Sequence, residues 1–164
     1  MKSLNLEKIK ATFDRVPDEF ENMVAQIGFP SGANYEDGTS VAYVAAIQEF
    51  GAPAVNIPAR PFMQPTVRQK KDEWVKIVAK YLPKVVLGKT TAFDVLDLVG
   101  RVAAADIKVT ISNVYSPPNS PATIKLKGSS KPLIDTGFML ASVQNAVNKS
   151  GNDFIEITGP KRPS

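Results

Sequence analysis

The sequence contains neither cysteine nor histidine in its 164 residues. Without cysteine there can be no disulfide, no thiolate nucleophile and no cysteine-ligated zinc. Without histidine the commonest general base, the usual serine triad and the commonest metal ligand are gone as well. A carboxylate or lysine enzyme is still open chemically. Active sites favour histidine, however, so the expectation is a protein that is not an enzyme and carries no cofactor or metal. Long apolar runs are also missing: none approaches the roughly 20 residues that cross a bilayer. The first residues, MKSLNLEKIKATFDRV, carry a charge every few positions, so no apolar signal core forms. The expected location is a cytoplasm, or a particle assembled in one.

The chain is 43% hydrophobic and 22% charged, values of an ordinary globular protein with a real core. Its length suits one domain spanning 1–164. The net charge of +4 conceals a polarity. Residues 1–50 hold four Lys/Arg against eight Asp/Glu, and residues 51–164 hold sixteen against eight. Such polarity suits nucleic acid, or head-to-tail meeting of copies, or simply a solvated surface.

Periodicity predicts an α+β fold. Leu6, Ile9, Phe13 and Val16 recur at helical steps, giving an N-terminal helix over Leu4–Phe20 within residues 1–21. NMVAQIGF alternates as a strand over 22–29, and Asp37-Gly38 marks a turn. Ser40 is placed to cap a short helix, Val41–Glu49, which Gly51 closes with a left-handed residue. Pro65 opens a second helix with an apolar stripe of Trp74, Ile77, Val78, Tyr81 and Leu82, and Pro83 is expected to end it. Thr91 and Asp94 form a capping box for a third helix through Leu96, Val99, Ala103 and Ile107 toward Val114. Residues 116–131 make a long polar loop. Strands over 139–147 and 153–158 then complete a small antiparallel sheet with the first, helices packing on one side. Residues 160–164 are a charged tail.

Motifs of chemistry are thin. LGKTT at Leu87–Thr91 holds the core of a phosphate loop, but Pro83 stands where its first glycine should be, so a helix stop and a new helix cap is the better reading. Asp94 and Asp97 lie one helical turn apart and could serve as acid and base or hold magnesium, yet Asp94 also suits a helix N-terminus. Arg68, Lys70, Lys71, Lys76 and Lys80 give the second helix a basic surface able to touch DNA phosphates, without any motif that reads bases.

Two stretches stand out: Val41–Pro65, VAYVAAIQEFGAPAVNIPARPFMQP, and Lys131–Val143, KPLIDTGFMLASV. The first is a helix, a glycine stop and a rigid proline corner around a single arginine, Arg60. That arginine can hold carbonyls of its own chain or reach a neighbour, and the former is the expectation, since most side-chain hydrogen bonds go to backbone or water. The second is an apolar plug, Leu133 and Ile134, then a turn at Asp135-Thr136-Gly137. Their order, with a strand ending in Gly-Phe before and PATIKLKGS between, resembles a group of tailed-bacteriophage morphogenesis proteins described as neck, tail-completion, head–tail joining or minor tail components. The resemblance covers about residues 22–145. Its specific parts are Glu49-Phe50-Gly51, Pro58-Ala59-Arg60-Pro61-Phe62 and Lys131-Pro132-Leu133-Ile134-Asp135-Thr136-Gly137.

The resemblance implies a structural virion part, assembled in the bacterial cytoplasm as a homo-oligomeric ring, often hexameric. Such a ring completes the tail or neck, with the tail terminator or tail tube on one side and the head connector on the other. It implies no small-molecule substrate and no membrane. Packaged DNA would be met, if at all, non-specifically through Arg68, Lys70, Lys71, Lys76 and Lys80. Glu49, Phe50, Gly51, Arg60, Pro61, Phe62, Lys131, Pro132, Asp135, Thr136 and Gly137 become interface or architecture candidates. The alternative is a small non-specific DNA-binding accessory protein.

Overall fold

A computed structural model describes residues 20–21, 23–118, 125 and 137–149. The order is β1 (Met23–Gly28), α1 (Val41–Phe50), a 3₁₀ turn (Pro53–Val55), α2 (Met63–Val86), α3 (Ala92–Asn113), a single helical turn α4 (Phe138–Ala141) and β2 (Gln144–Lys149). The architecture is α+β. β1 and β2 pair antiparallel, with Ala25 opposite Val147 and Ile27 opposite Asn145. α3 lies across both strands, and α2 lies against α3, so the helices stack on one side of the sheet. None of the described helices is long and apolar enough to cross a membrane.

The sheet differs from expectation in one register. Residues 139–141 are helical, and the strand begins at Gln144, not Met139. Gly137, at φ 77°, turns the chain into α4, which buries Met139. A strand through 139–143 would alternate its side chains across two faces, whereas one helical turn sends Met139 into the core and leaves Phe138 outside. Val143 is also buried there. The N-terminal helix expected over Leu4–Phe20, apart from Phe20 itself, and the strand 153–158 lie outside the described residues, as do Lys131, Pro132, Asp135 and Thr136.

α2 and α3 form the scaffold. α2 does not stop at Pro83 but runs to Val86. Proline lacks the N–H that would donate to Ala79, and leaving one solvent-side carbonyl to water is tolerated where Pro83 is exposed. The stop comes five residues later. Gly88 takes φ +67°, its N–H reaches the Val85 carbonyl at 2.9 Å, and the Lys89 N–H reaches that of Lys84 at 2.8 Å. This paired pattern satisfies the helix's last carbonyls and requires a left-handed residue. Three residues on, the Thr91 hydroxyl accepts from the Asp94 N–H at 3.1 Å, and the Asp94 carboxylate accepts from the Thr91 N–H at 3.1 Å. The Gly-Lys-Thr tripeptide is therefore a helix stop joined to a helix start.

Polar side chains fix the pitch of α2 on α3. Buried Thr66 shares a 2.6 Å hydrogen bond with Thr110, and the Trp74 indole donates to Asp106 at 2.8 Å. On the sheet side Gly100 gives α3 its close approach to β2, since a Cβ there would lie 2.9 Å from the Asn145 side chain. The Asn145 amide donates to Asp97 at 2.8 Å, and Asp97 pairs with Arg101 at 3.1 Å. The main core gathers Phe29, Val41, Ala45, Phe62, Ile107, Ile111, Met139 and Val143 where the ends of α2 and α3 meet α1 and α4.

Candidate functional site

The most constrained place in the fold is the corner between α1 and α2. α1 ends on Gly51, whose N–H closes the helix on Ile47 at 2.7 Å. Gly51 has φ 74° and ψ 172°, a positive-φ conformation open to glycine, and not the left-handed helical one expected. A Cβ there would also stand 2.7 Å from the Ala59 nitrogen. The loop that follows folds back on itself. Ala52 and Ile57 exchange backbone hydrogen bonds of 2.8 and 3.1 Å around the Pro53–Val55 turn. The Arg60 N–H then returns to the Gln48 carbonyl at 2.6 Å, so a helix-end carbonyl is satisfied by the chain that has just left it.

Glu49 and Arg60 use this return. Glu49 is only 3% exposed, and its carboxylate accepts from three consecutive N–H groups: Phe62 at 2.7 Å, Met63 at 2.9 Å and Gln64 at 3.0 Å. Those are orphan donors at the start of α2. A negative charge at the positive end of the helix dipole satisfies them from another helix. Phe62, at the N-cap position, cannot do so with its own side chain. Its ring is instead fully buried, edge-on to Phe29 at 6.2 Å between centroids.

Arg60 is 5% exposed. Its Nε donates to the Pro117 carbonyl at 2.8 Å, one terminal nitrogen to Pro118 at 3.1 Å and the other to the Gln48 side chain at 3.1 Å. Burial pushes its pKa down from the ordinary arginine value, but an arginine stays charged, so the three acceptors also offset the desolvation of a cation. Arg60 thus holds its own chain, binding the end of α1 to the segment leaving α3. Glu49 and Arg60 together tie three helices into one joint.

The other predicted positions spread out. Phe50 is half-buried at the end of α1, and Pro61 is exposed on the corner. Ser40 sits at the N-cap of α1, but its hydroxyl makes no cap hydrogen bond and is buried without a partner among the described residues. Asp94 is engaged in its capping box, where the Thr91 hydroxyl and N–H lower its pKa below 3.8. Asp97 is bound to Arg101 and Asn145, so the two carboxylates are not joined in one site. Among the described residues no group of three or more acids is placed to hold a metal. Of the basic set, Lys70 is held by Glu73 at 3.0 Å, while Arg68, Lys71, Lys76 and Lys80 are exposed along α2.

Gln48 and Asn145 escaped the sequence reading as site residues. For Asn145 a signal existed, a polar residue on the buried face of a strand; for Gln48 there was none. No protein-family model matches the chain, and no curated protein or solved structure matches it significantly.

Proposed function

We propose that this chain is a structural virion protein of a tailed phage. In this reading copies form a ring at the head–tail junction, complete the tail or neck and dock the tail to the connector. One observation carries the reading beyond the resemblance itself. Glu49-Phe50-Gly51 and Pro58–Phe62, two of the motifs that resemble the phage proteins, meet in a single joint whose buried charges are both spent on backbone and amide partners of the same chain. Such a joint sets the direction of a long helix, which is what a part working by shape requires. No catalytic role is assigned to any residue. The non-specific DNA-binding alternative draws on the exposed Arg68, Lys71, Lys76 and Lys80, and predicts an affinity that falls steeply with salt.

The test is genetic and structural, in the phage that encodes the chain. Deleting the gene is expected to leave filled heads and finished tails unjoined, with joining restored by expression in trans. Mass spectrometry of purified virions should find the protein in a fixed copy number. Infectious particles lacking it would overturn the reading.

A further inference from the structure

The described surface carries two features of opposite character. The first is an open cleft of about 740 Å³ between the 34–38 turn and α4. Tyr35 and Phe138 form its aromatic body, with ring centroids 5.4 Å apart, and the exposed Glu36 and Asp37 stand on its rim. Neither carboxylate has a cationic partner among the described residues. The turn that presents them is held firmly. Tyr35 donates to the Thr39 carbonyl at 2.8 Å, Gly38 to Tyr35 at 2.9 Å, and the Thr39 N–H to the Asp37 carboxylate at 2.9 Å.

The second feature is on α2. Lys76, Lys80 and Lys84 recur every four residues, so they stand in a row on one side of the helix with steps of ~6 Å. All three are exposed and none forms an ion pair among the described residues. Exposed Val75, Ala79 and Leu82 lie on another side of α2, Leu82 about 160° around the helix from Lys80 and Lys84, and are not part of the lysine row. A cleft with an acidic rim supplies carboxylates to the row, and its aromatic body packs against the apolar stems of the lysines.

The two features cannot meet within one molecule. Tyr35 packs on the cluster that contains Phe62, at the start of α2. Lys76 and Lys84 lie 13 and 21 residues beyond Met63 along a continuous helix, or ~20 and ~32 Å. Complementary surfaces far apart on one rigid body pair only between copies, and head-to-tail.

We propose that the Lys76–Lys80–Lys84 row of one copy docks in the Glu36/Asp37-rimmed aromatic cleft of the next. This rests on the ring reading above and names the contact that would build it. Charge supplies orientation and register, while the lysine stems and the rings supply burial.

The experiment uses the full chain in sedimentation velocity at low and high salt, with three proteins. They are the wild type, E36K/D37K, and K76E/K80E/K84E. All the altered residues are exposed, and far-UV circular dichroism with Trp74 fluorescence verifies folding. Each variant alone is expected to self-associate at least about tenfold more weakly than the wild type. An equimolar mixture of the two should regain assembly, because each reversed row then faces a cleft rim of opposite sign. Assembly should weaken with added salt. Undiminished assembly of both folded variants would overturn the contact while leaving the head–tail reading to its own virion test. So would a mixture that stays dissociated. If duplex DNA binds the wild type and only the lysine variant loses it, with assembly unchanged, the row is a phosphate site and the contact is overturned.

Discussion

Glu49 is where the fold is most exposed to a single change. Its carboxylate is the acceptor for three N–H groups at the start of α2, one of them, Phe62, on a fully buried residue. Charge-assisted hydrogen bonds contribute ~1.5 kcal/mol or more each, and an orphaned buried donor costs ~1–3 kcal/mol. Against that, Glu49→Ala also removes the desolvation cost of a buried anion. Cavity and orphaned donors outweigh that relief, giving an expected net loss of ~3–4 kcal/mol. Glu49→Gln keeps one acceptor oxygen but turns an NH₂ toward N–H donors, and should cost ~2–3 kcal/mol. In a chain of this size 1 kcal/mol shifts Tm by about 2–4 °C, so the alanine variant should melt ~6–16 °C lower. Urea titration followed by Trp74 fluorescence, with slope m unchanged, gives the free energy directly. Hydrogen exchange supplies the local readout, since amides of Phe62, Met63 and Gln64 should lose protection first. A Glu49→Gln variant within ~0.5 kcal/mol of wild type would refute the reasoning, since three bonds to one carboxylate could not then be holding the helix start.

Other changes follow from the same geometry. Arg60→Lys keeps the charge but cannot reach Gln48, Pro117 and Pro118 together. It should destabilise by ~2–3 kcal/mol in thermal or urea melts, an effect absent if charge alone mattered. Gly100→Ala gains up to ~1 kcal/mol of helix propensity but drives a Cβ into Asn145, costing ~1–3 kcal/mol. A net loss that vanishes in an Asn145→Ala background would establish the cause. Asp94 has its folded pKa lowered from 3.8 by the Thr91 hydroxyl and N–H. Its stabilisation is therefore present above the unfolded carboxyl range and is lost as pH falls through the lowered folded value. The Tm difference between wild type and Asp94→Asn should shrink across that acid window, and a difference flat with pH would count against the capping box.

Much of the fold was legible in local chemistry. The α3 capping box, the 22–29 strand, the Gly88 stop and the α2 stripe of Trp74, Ile77, Val78 and Tyr81, though not its expected fifth member Leu82, which is exposed, each depend on residues within a few positions of one another. The short range of those interactions is why pattern reading finds them. Three misreadings share one cause, local signals overruled by distant contacts. Pro83 reads as a helix end, but α2 continues because its other side packs on α3. Ser40 reads as a cap, but the start of α1 is fixed by the Val41 N–H donating to Ala33 at 2.9 Å. Residues 139–141 read as strand, but Gly137 and the burial of Met139 make them a helical turn.

By itself the sequence determined the three helices α1, α2 and α3, the strand β1, and that no histidine or cysteine chemistry is available to this protein. It also marked Val41–Pro65 as a joint and posed the question of where Arg60 reaches. Only the tertiary structure could decide that Arg60 binds carbonyls 57 and 58 residues away and that Glu49 caps a helix 13 to 15 residues ahead. It alone gave Gly100 its purpose under Asn145. Those partners are set by how α1, α2, α3 and the sheet converge, and convergence leaves no periodic trace along a chain.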